Sequence, residues 1–491
     1  MNQQKKFFNN LNETFYTPNN YHFNFGYGSM IRIRATLTEP FVTAGSGYDW
    51  FSPWAENEGI NQDAARSNFV WTYYYKLIQT TNTVLSTINE ETATDEQKGY
   101  IAAAKAFRAL AYLDLGRMYE YLPTDVTSGV NADGNDVTGL TVPIVKEGMS
   151  EADARNNPRV KKEDLIKFIK EDLEYAEQNI GKLTKTEKTL PHLDCVYGLE
   201  ARLYMWEGDY AKAQAAAENA IKASSVKPMT QAQCLNTTTG FNNLADFMWG
   251  SQQTSEDAVV STGIINWTSW MCNEQTFGYC GAGTGDYIRI DTLAYTRLND
   301  TDFRKLEWVA PAGSPIANKV SFVNKTYGAS MPPMASVKFR PNQGEMDAPS
   351  VAAATAFPVM RVEEMYYIRM EAAAQQDAAK GKELLELFMK TRDPKYTCKA
   401  TSKEDIIKEI YFQKCIDLWG EGITFFDMKR LNYSLTRGYH GTNHSVGARI
   451  NTNGRPATTN FLFYRTEAEN NTALKGWNNP DPSGKYPLWT E

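Results

Sequence analysis

The stretch YGLEARLYMWEGDYAKAQAAAENAI, residues 197–221, decides how this chain folds. Apolar residues recur at helical spacing on both sides of Gly208-Asp209, a pair that typically ends one helix and begins the next. Small residues after the turn allow two antiparallel helices to approach closely, and Tyr210 fills the gap beside it. The stretch therefore predicts a helix–turn–helix unit.

The unit has the residue offsets of a tetratricopeptide repeat, carried by Tyr197, Tyr204, Gly208, Tyr210, Ala213 and Ala220. Such a unit cannot bury its apolar face alone, so similar units must stack on it. Helical periodicity occurs in two blocks, residues 63–223 and 358–431. We therefore predict an all-α, tetratricopeptide-like helical repeat scaffold built from both blocks.

The remaining segments lack a long helical stripe. Residues 224–357 are rich in Gly, Thr, Asn, Ser and Pro, which predicts a long loop-rich insertion with short strands. Residues 432–491 are similarly irregular. Their aromatic residues indicate a tail packed on the body rather than a disordered one.

Asp114 lies inside the apolar stripe of the helix predicted over residues 97–120. A buried carboxylate needs a partner, and Arg117 or a tyrosine hydroxyl could serve. We predict a structural rather than a catalytic role for it.

Composition excludes several classes of protein. The net charge of -7 argues against nucleic-acid binding. The sequence has no run of about 18 apolar residues, so it predicts no membrane-spanning helix. Six cysteines without a CxxC pair exclude a zinc ribbon and leave disulfides open. The start MNQQKKFF has no signal-peptide core, so either the protein is cytosolic or a signal has been removed.

Three further stretches carry a family resemblance. They are WTYYYKLI at 71–78, AKAFRALAYLDL at 104–115 followed by TVPIV at 141–145, and PVMR at 358–361 with EG at 421–422 and FDMKR at 426–430. In this order they resemble the SusD/RagB family of outer-membrane nutrient-binding lipoproteins. Where many members read E-R-R-x-E-L before the EG turn, this chain has YFQKCIDL at 411–418. We expect the salt bridges of that region to be rearranged.

The resemblance implies one domain over residues 1–491, with four helix pairs and a loop-rich face that binds ligand. It implies a non-enzymatic, cell-surface protein that captures an oligosaccharide and delivers it to a TonB-dependent outer-membrane transporter. It also implies an N-terminal lipid anchor on a cysteine. The residues before Cys195 contain no cysteine, so we expect the sequence given to begin after the anchor.

A sugar site needs flat aromatic rings with polar side chains at the rim. Two loops combine these residue types, 45–61 and 266–289, and the resemblance implies glycan contacts from the same regions. We predict ligand contacts from nine of their residues: Tyr48, Asp49, Trp50, Trp54, Asn57, Trp267, Trp270, Tyr279 and Arg289. The alternative is that about half of these rings only hold loops on the scaffold. Trp71, Trp206 and Trp419 lie on predicted helices, and we assign them to packing.

Other interpretations stay open at this stage. A calcium ion would suit the oxygen-rich run Asp133–Asp136, but the run lacks the EF-hand pattern and favours a solvated turn, so no cofactor is expected. A glycoside hydrolase would need a pair of carboxylates, and acidic residues are plentiful. A cytosolic peptide-binding adaptor, or a family member that carries peptides, is the remaining alternative.

Overall fold

A computed structural model of the protein describes residues 22–43, 50–281 and 283–491. These residues form nineteen α-helices, numbered in chain order: α1 Tyr27–Thr36, α2 Ser52–Ala55, α3 Ala65–Thr87, α4 Asp95–Tyr119, α5 Glu151–Ala154, α6 Lys162–Asn179, α7 Leu193–Glu207, α8 Tyr210–Ala223, α9 Gln231–Cys234, α10 Ala258–Ser261, α11 Trp267–Met271, α12 Thr292–Arg297, α13 Lys325–Gly328, α14 Pro349–Ala352, α15 Val362–Gln376, α16 Ala378–Met389, α17 Lys403–Asp417, α18 Thr424–Arg430 and α19 Arg465–Asn470.

Four short strands complete the regular structure: β1 Phe41–Val42, β2 Trp249–Gln252, β3 Arg289–Ile290 and β4 Ala356–Met360. They form two antiparallel two-stranded sheets, β1 with β3 and β2 with β4. The pair β2–β4 places Ser251 opposite Phe357 and so joins the two ends of the predicted insertion.

The helix–turn–helix unit predicted over 197–221 is confirmed as α7 and α8. Gly208 ends α7 in the left-handed conformation, with φ 89° and ψ 12°, and its N–H donates to the Tyr204 carbonyl. The Asp209 side chain accepts from the Lys212 N–H and caps α8. The turn therefore uses glycine for its backbone geometry and aspartate for its capping group.

Eight long helices form the scaffold and pack on one another in chain order: α3, α4, α6, α7, α8, α15, α16 and α17. This is a stack of four helix pairs, and the predicted all-α fold is confirmed. Close approach depends on small residues. A Cβ built on Gly116 would lie 2.6 Å from the Trp206 ring, so a larger residue there would separate α4 from α7.

Helix α1 was not predicted from the sequence. All ten of its residues are buried, including Arg32 and Arg34. A helix buried on every side has no polar face, so its sequence lacks the alternation that identifies an amphipathic helix. Trp71, Trp206 and Trp419, assigned to packing, are all buried.

Asp114 is the centre of a buried ionic cluster. Its carboxylate accepts from Tyr27 Oη at 2.8 Å, Tyr74 Oη at 2.9 Å, Arg34 Nη1 at 2.9 Å and Arg117 Nη2 at 2.9 Å. Burial alone would raise the pKa of Asp114, but Arg34 and Arg117 lower it below its usual value. The predicted partners are confirmed, and Arg34 from α1 is added to them.

The region that departs from the family pattern has its own ionic cluster. Asp417 accepts from Arg392 Nε at 3.0 Å and from Tyr367 Oη at 3.0 Å. Lys414 instead pairs with Asp427 of α18 at 2.7 Å. The two charged residues of YFQKCIDL therefore have different partners: Lys414 pairs with α18, and Asp417 accepts from Arg392 and Tyr367.

The C-terminal tail lies on the scaffold through backbone-directed hydrogen bonds. The Asn479 amide donates to the Tyr119 carbonyl at 3.0 Å and to the Phe461 carbonyl at 2.8 Å. Arg159 donates to the Trp477 carbonyl at 2.8 Å. Side-chain amides and a guanidinium thus hold a segment that has little regular structure of its own.

All six cysteines are buried with free thiols. Within residues 22–43, 50–281 and 283–491, none of the helices combines the length and the apolar character that crossing a bilayer requires.

The turn at Gly208 gives a first prediction. Nothing lies within 4 Å of a Cβ built there, so Gly208→Ala should cost only the left-handed backbone, about 1–2 kcal/mol in the free energy of unfolding. Gly181 has equally open surroundings without the left-handed φ, so Gly181→Ala is the matched control. Urea denaturation of both variants measures the difference, and equal stabilities would contradict the assigned role of the turn.

The cluster around Asp114 gives a second prediction. Asp114→Asn leaves Arg34 and Arg117 buried without a counter-charge, which should cost about 3–5 kcal/mol at pH 7. Glu151→Gln breaks the exposed pair with Arg155 and should cost at most about 1 kcal/mol. Because the pKa of Asp114 is lowered in the folded state, its contribution is present above the usual aspartate pKa and is lost as pH falls below it. Urea denaturation at pH 7 and pH 2 should show a smaller difference in the free energy of unfolding between the wild type and Asp114→Asn at pH 2.

Candidate ligand-binding site

The two loops predicted to bind ligand meet in one stack of aromatic rings. The stack, called the ring stack here, consists of His22, Trp50, Trp270 and Tyr279. Trp270 and Tyr279 lie parallel with centroids 4.1 Å apart and planes 9° apart. His22 contacts Tyr279 at 5.4 Å and stacks on Trp50 at 5.2 Å. The ring of His22 therefore bridges the two loops.

Hydrogen bonds hold the second loop against α11. Asn266 caps this helix by accepting from the Ser269 N–H at 2.9 Å. The chain then folds back, and the Tyr279 N–H donates to the Ser269 carbonyl at 3.0 Å. Trp270 Nε1 donates to the His22 carbonyl at 2.8 Å. The ring stack is therefore fixed by main-chain atoms as well as by ring contacts.

Exposure increases along the ring stack. Trp270 is 1% exposed, whereas Tyr279, His22 and Trp50 are half-buried. His22 Nδ1 is hydrogen-bonded to Tyr279 Oη. Burial lowers the pKa of His22, which favours a neutral imidazole at neutral pH. The outer rings can therefore offer uncharged aromatic surface to a ligand while the inner ring anchors them.

Polar side chains lie on both sides of Tyr279 in the sequence. Thr276 and Thr284 are exposed, and the Thr284 hydroxyl donates to the Tyr279 carbonyl at 2.9 Å. Asp286 is half-buried in the same loop. Thr284 therefore lies beside Tyr279, and aromatic rings with polar groups nearby are the combination that sugars require.

Three of the predicted contact residues have rings that are buried in the structure. Trp267 is 1% exposed and stacks on Phe357 at 5.2 Å. Trp54 is 3% exposed and lies against Phe51 at 5.6 Å. Trp270 is the inner member of the ring stack. These three rings pack against the scaffold, which agrees with the alternative stated for about half of the rings.

Asn57 and Arg289 make their contacts with residues outside the ring stack. Asn57 is 3% exposed, has a left-handed φ of 57°, and donates from Nδ2 to the Pro482 carbonyl at 2.6 Å. Its side chain therefore fastens the tail to this loop. Arg289 pairs with Val42 in the β1–β3 sheet and is half-buried. Tyr48 and Asp49 lie outside the described residues.

His22 was missed by the analysis of the sequence. The run YHFNF at 21–25 places four ring-bearing residues in five positions, and this was the available signal. The partners of His22 are 28 and more residues away, so its place in a stack could not be deduced locally.

The loop Asp133–Asp136 uses its polar atoms within the protein. Asn135 Nδ2 donates to the Gly476 carbonyl at 2.8 Å, and Asp136 Oδ1 accepts from the Thr138 N–H at 2.9 Å. In the part of the chain that the structure describes, no group of three or more His, Cys, Asp or Glu side chains is arranged to hold a metal ion.

The difference in burial gives a third prediction. Trp270→Ala removes a fully buried ring and should cost about 3–5 kcal/mol in the free energy of unfolding. Trp50→Ala removes a half-buried ring and should cost less than half as much. Chemical denaturation of the two variants compares them directly. A Trp270→Ala variant as stable as the wild type would show that Trp270 is not an anchor.

Comparisons with known proteins agree on one family. A model of SusD-like proteins described as "Starch-binding associating with outer membrane" matches residues 26–205, and a model of the SusD family matches residues 286–482. No curated protein sequence matches the chain.

Solved structures share the fold over nearly the whole chain. A SusD-like carbohydrate-binding protein from Bacteroides vulgatus has a TM-score of 0.75 at 20% identity and covers 98% of this chain and 97% of its own. A putative sugar-binding protein from the same species has a TM-score of 0.71 at 18% identity, covering 98% and 97%. Surface glycan-binding protein A from Bacteroides thetaiotaomicron, in complex with laminarihexaose, has a TM-score of 0.63 at 14% identity, covering 98% of each chain.

Proposed function

This chain belongs to the SusD/RagB family, and on that premise we propose that it is a non-enzymatic glycan-binding protein that captures an oligosaccharide at the ring stack. The observation that carries the proposal is the meeting of the two aromatic loops through His22. Trp50 and Tyr279 are its half-buried rings from those loops. They are the side chains that we expect to contact the sugar.

Each stacking contact contributes a modest binding free energy, so useful affinity requires more than one contact. A pyranose ring stacked on an aromatic face buries roughly 50–100 Å² of apolar surface, which is about 1–2 kcal/mol at ~25 cal/mol per Å². Two outer rings would together favour an oligosaccharide over a single sugar, since each ring takes its own unit. This is why we propose a chain of sugars as the ligand.

The family supports the proposed ligand and place of action. Its matching model is described as starch-binding and associated with the outer membrane. A structural neighbour has laminarihexaose bound. We extend the proposal to a cell-surface lipoprotein of the outer membrane that passes its ligand to a TonB-dependent transporter. Recovery of that transporter with the tagged protein from native membranes would test the extension separately.

A fourth prediction tests the ligand and the ring stack together. Trp50→Ala and Tyr279→Ala should each weaken oligosaccharide binding about 5–30-fold, since each removes one stacked contact of about 1–2 kcal/mol. Trp477→Ala is the matched control, because Trp477 is 38% exposed on the tail and should not affect binding. Calorimetry against a panel that begins with laminarihexaose and includes peptides measures the affinities.

Each outcome of the panel is informative. Sugar binding that is unchanged in both variants would keep the function and remove the ring stack as its site. Binding of peptides alone would favour a peptide-carrying member of the family. Release of shorter sugars from the panel would show an enzyme, in which case the non-enzymatic proposal fails.

A further inference from the structure

A second feature of the chain lies inside the scaffold, away from the ring stack. A cavity of about 30 Å³ lies between α4, α7, α15, α17 and α18. A cavity of ~10–15 Å³ already holds a water molecule, so this one has room for a monatomic ion. Its lining is dominated by charge: Arg117, Arg202, Lys414, Lys429 and Arg430 against Glu364 and Asp427.

Two arginines of the lining have a donor left over. Arg202 donates from Nε and Nη2 to Glu364 at 2.7 and 2.6 Å, and from Nη2 to the Val359 carbonyl at 2.9 Å. Arg430 donates from Nη2 to Glu371 and Asp427, both at 2.9 Å. For both arginines, Nη1 is buried and finds no acceptor among the described residues. Arg202 is only 3% exposed, so solvent does not supply one.

The acidic partners of Arg202 and Arg430 raise the pKa of both arginines, whereas for Arg117 and Lys429 burial outweighs the effect of nearby acidic groups. Burial lowers the pKa of Arg117 to about 10, although Asp114 acts to raise it. Burial also lowers the pKa of Lys429, whose ammonium donates to the carbonyls of Met118, Glu120 and Thr459 at 2.9, 2.7 and 2.9 Å.

The acidic residues next to the lining do not cancel the positive charge of its basic residues. Asp114 is shared between Arg117 and Arg34, and Glu120 is shared with Lys162. Glu371 pairs with Arg430. Positive charge therefore remains in excess around the cavity.

We infer that the cavity is a binding site for a small monovalent inorganic anion such as chloride, held between Nη1 of Arg202 and Nη1 of Arg430. An anion there would satisfy both donors and offset the excess charge where five helices meet. A water molecule could accept from the arginines but would leave the charge unbalanced. The inference does not depend on the proposed function.

Bromide provides a direct test on the wild-type protein. Crystals grown with sodium bromide in place of chloride should give an anomalous peak in the cavity between the two guanidinium groups. In solution, raising chloride against gluconate at constant ionic strength, to about 10–100 times the Kd, should raise the Tm by about 1–3 °C. Arg430→Lys keeps the charge but removes Nη1, and it should abolish most of this shift.

Arg155→Lys, in an exposed ion pair, is the matched control and should respond to chloride like the wild type. If Arg430→Lys fails to fold, the bromide peak and the wild-type chloride shift still decide the matter. The inference fails if the cavity holds only water. It also fails if a bromide peak occurs without any effect of chloride on Tm, which would mean binding at crystal concentration only.

Discussion

The buried carboxylate of Asp114 is the constraint on which the scaffold depends. It has no exposed surface, and removing a charge from water is costly unless the charge is paired and hydrogen-bonded. Four donors meet this requirement: two from α1, one from α3 and one from α4. Because no single helix supplies them, the carboxylate is stable only when the three helices are in place together. Fold specificity here comes from charge as well as from apolar packing.

The same cluster positions the proposed ligand site. Arg34 and Tyr27 tie α1 to Asp114, and α1 begins five residues after His22. His22 contacts rings of both loops, and Phe51 also joins the loops directly by contacting Trp270 at 4.9 Å. The buried cluster around Asp114 is thereby connected through α1 to the ring stack, which is the proposed ligand site.

Local patterns predicted the fold but could not predict which aromatic residues are buried, for a physical reason. The turn at Gly208-Asp209 and the stripe around Asp114 are determined by residues within a few positions of each other, so the sequence reveals them. Whether a side chain is buried or exposed depends on partners that are distant in the sequence. Trp267 is covered by Phe357, and the Asn57 side chain donates to the Pro482 carbonyl. Composition could indicate two aromatic loops but could not tell which rings face outward. Arg34 was unpredictable as a partner of Asp114 for the same reason, since 80 residues separate them.

Buried rings beneath half-buried ones have a consequence for binding. An aromatic side chain that moves freely must lose conformational freedom when a ligand stacks on it, and that loss reduces the affinity. In the ring stack, Tyr279 is already held by the parallel face of Trp270, and Trp270 is held by the His22 carbonyl. If the ring stack binds the proposed oligosaccharide, Trp270 would contribute to the affinity without contacting the ligand, because it fixes the rings that would. The core and the proposed site would then be the inner and outer members of one stack.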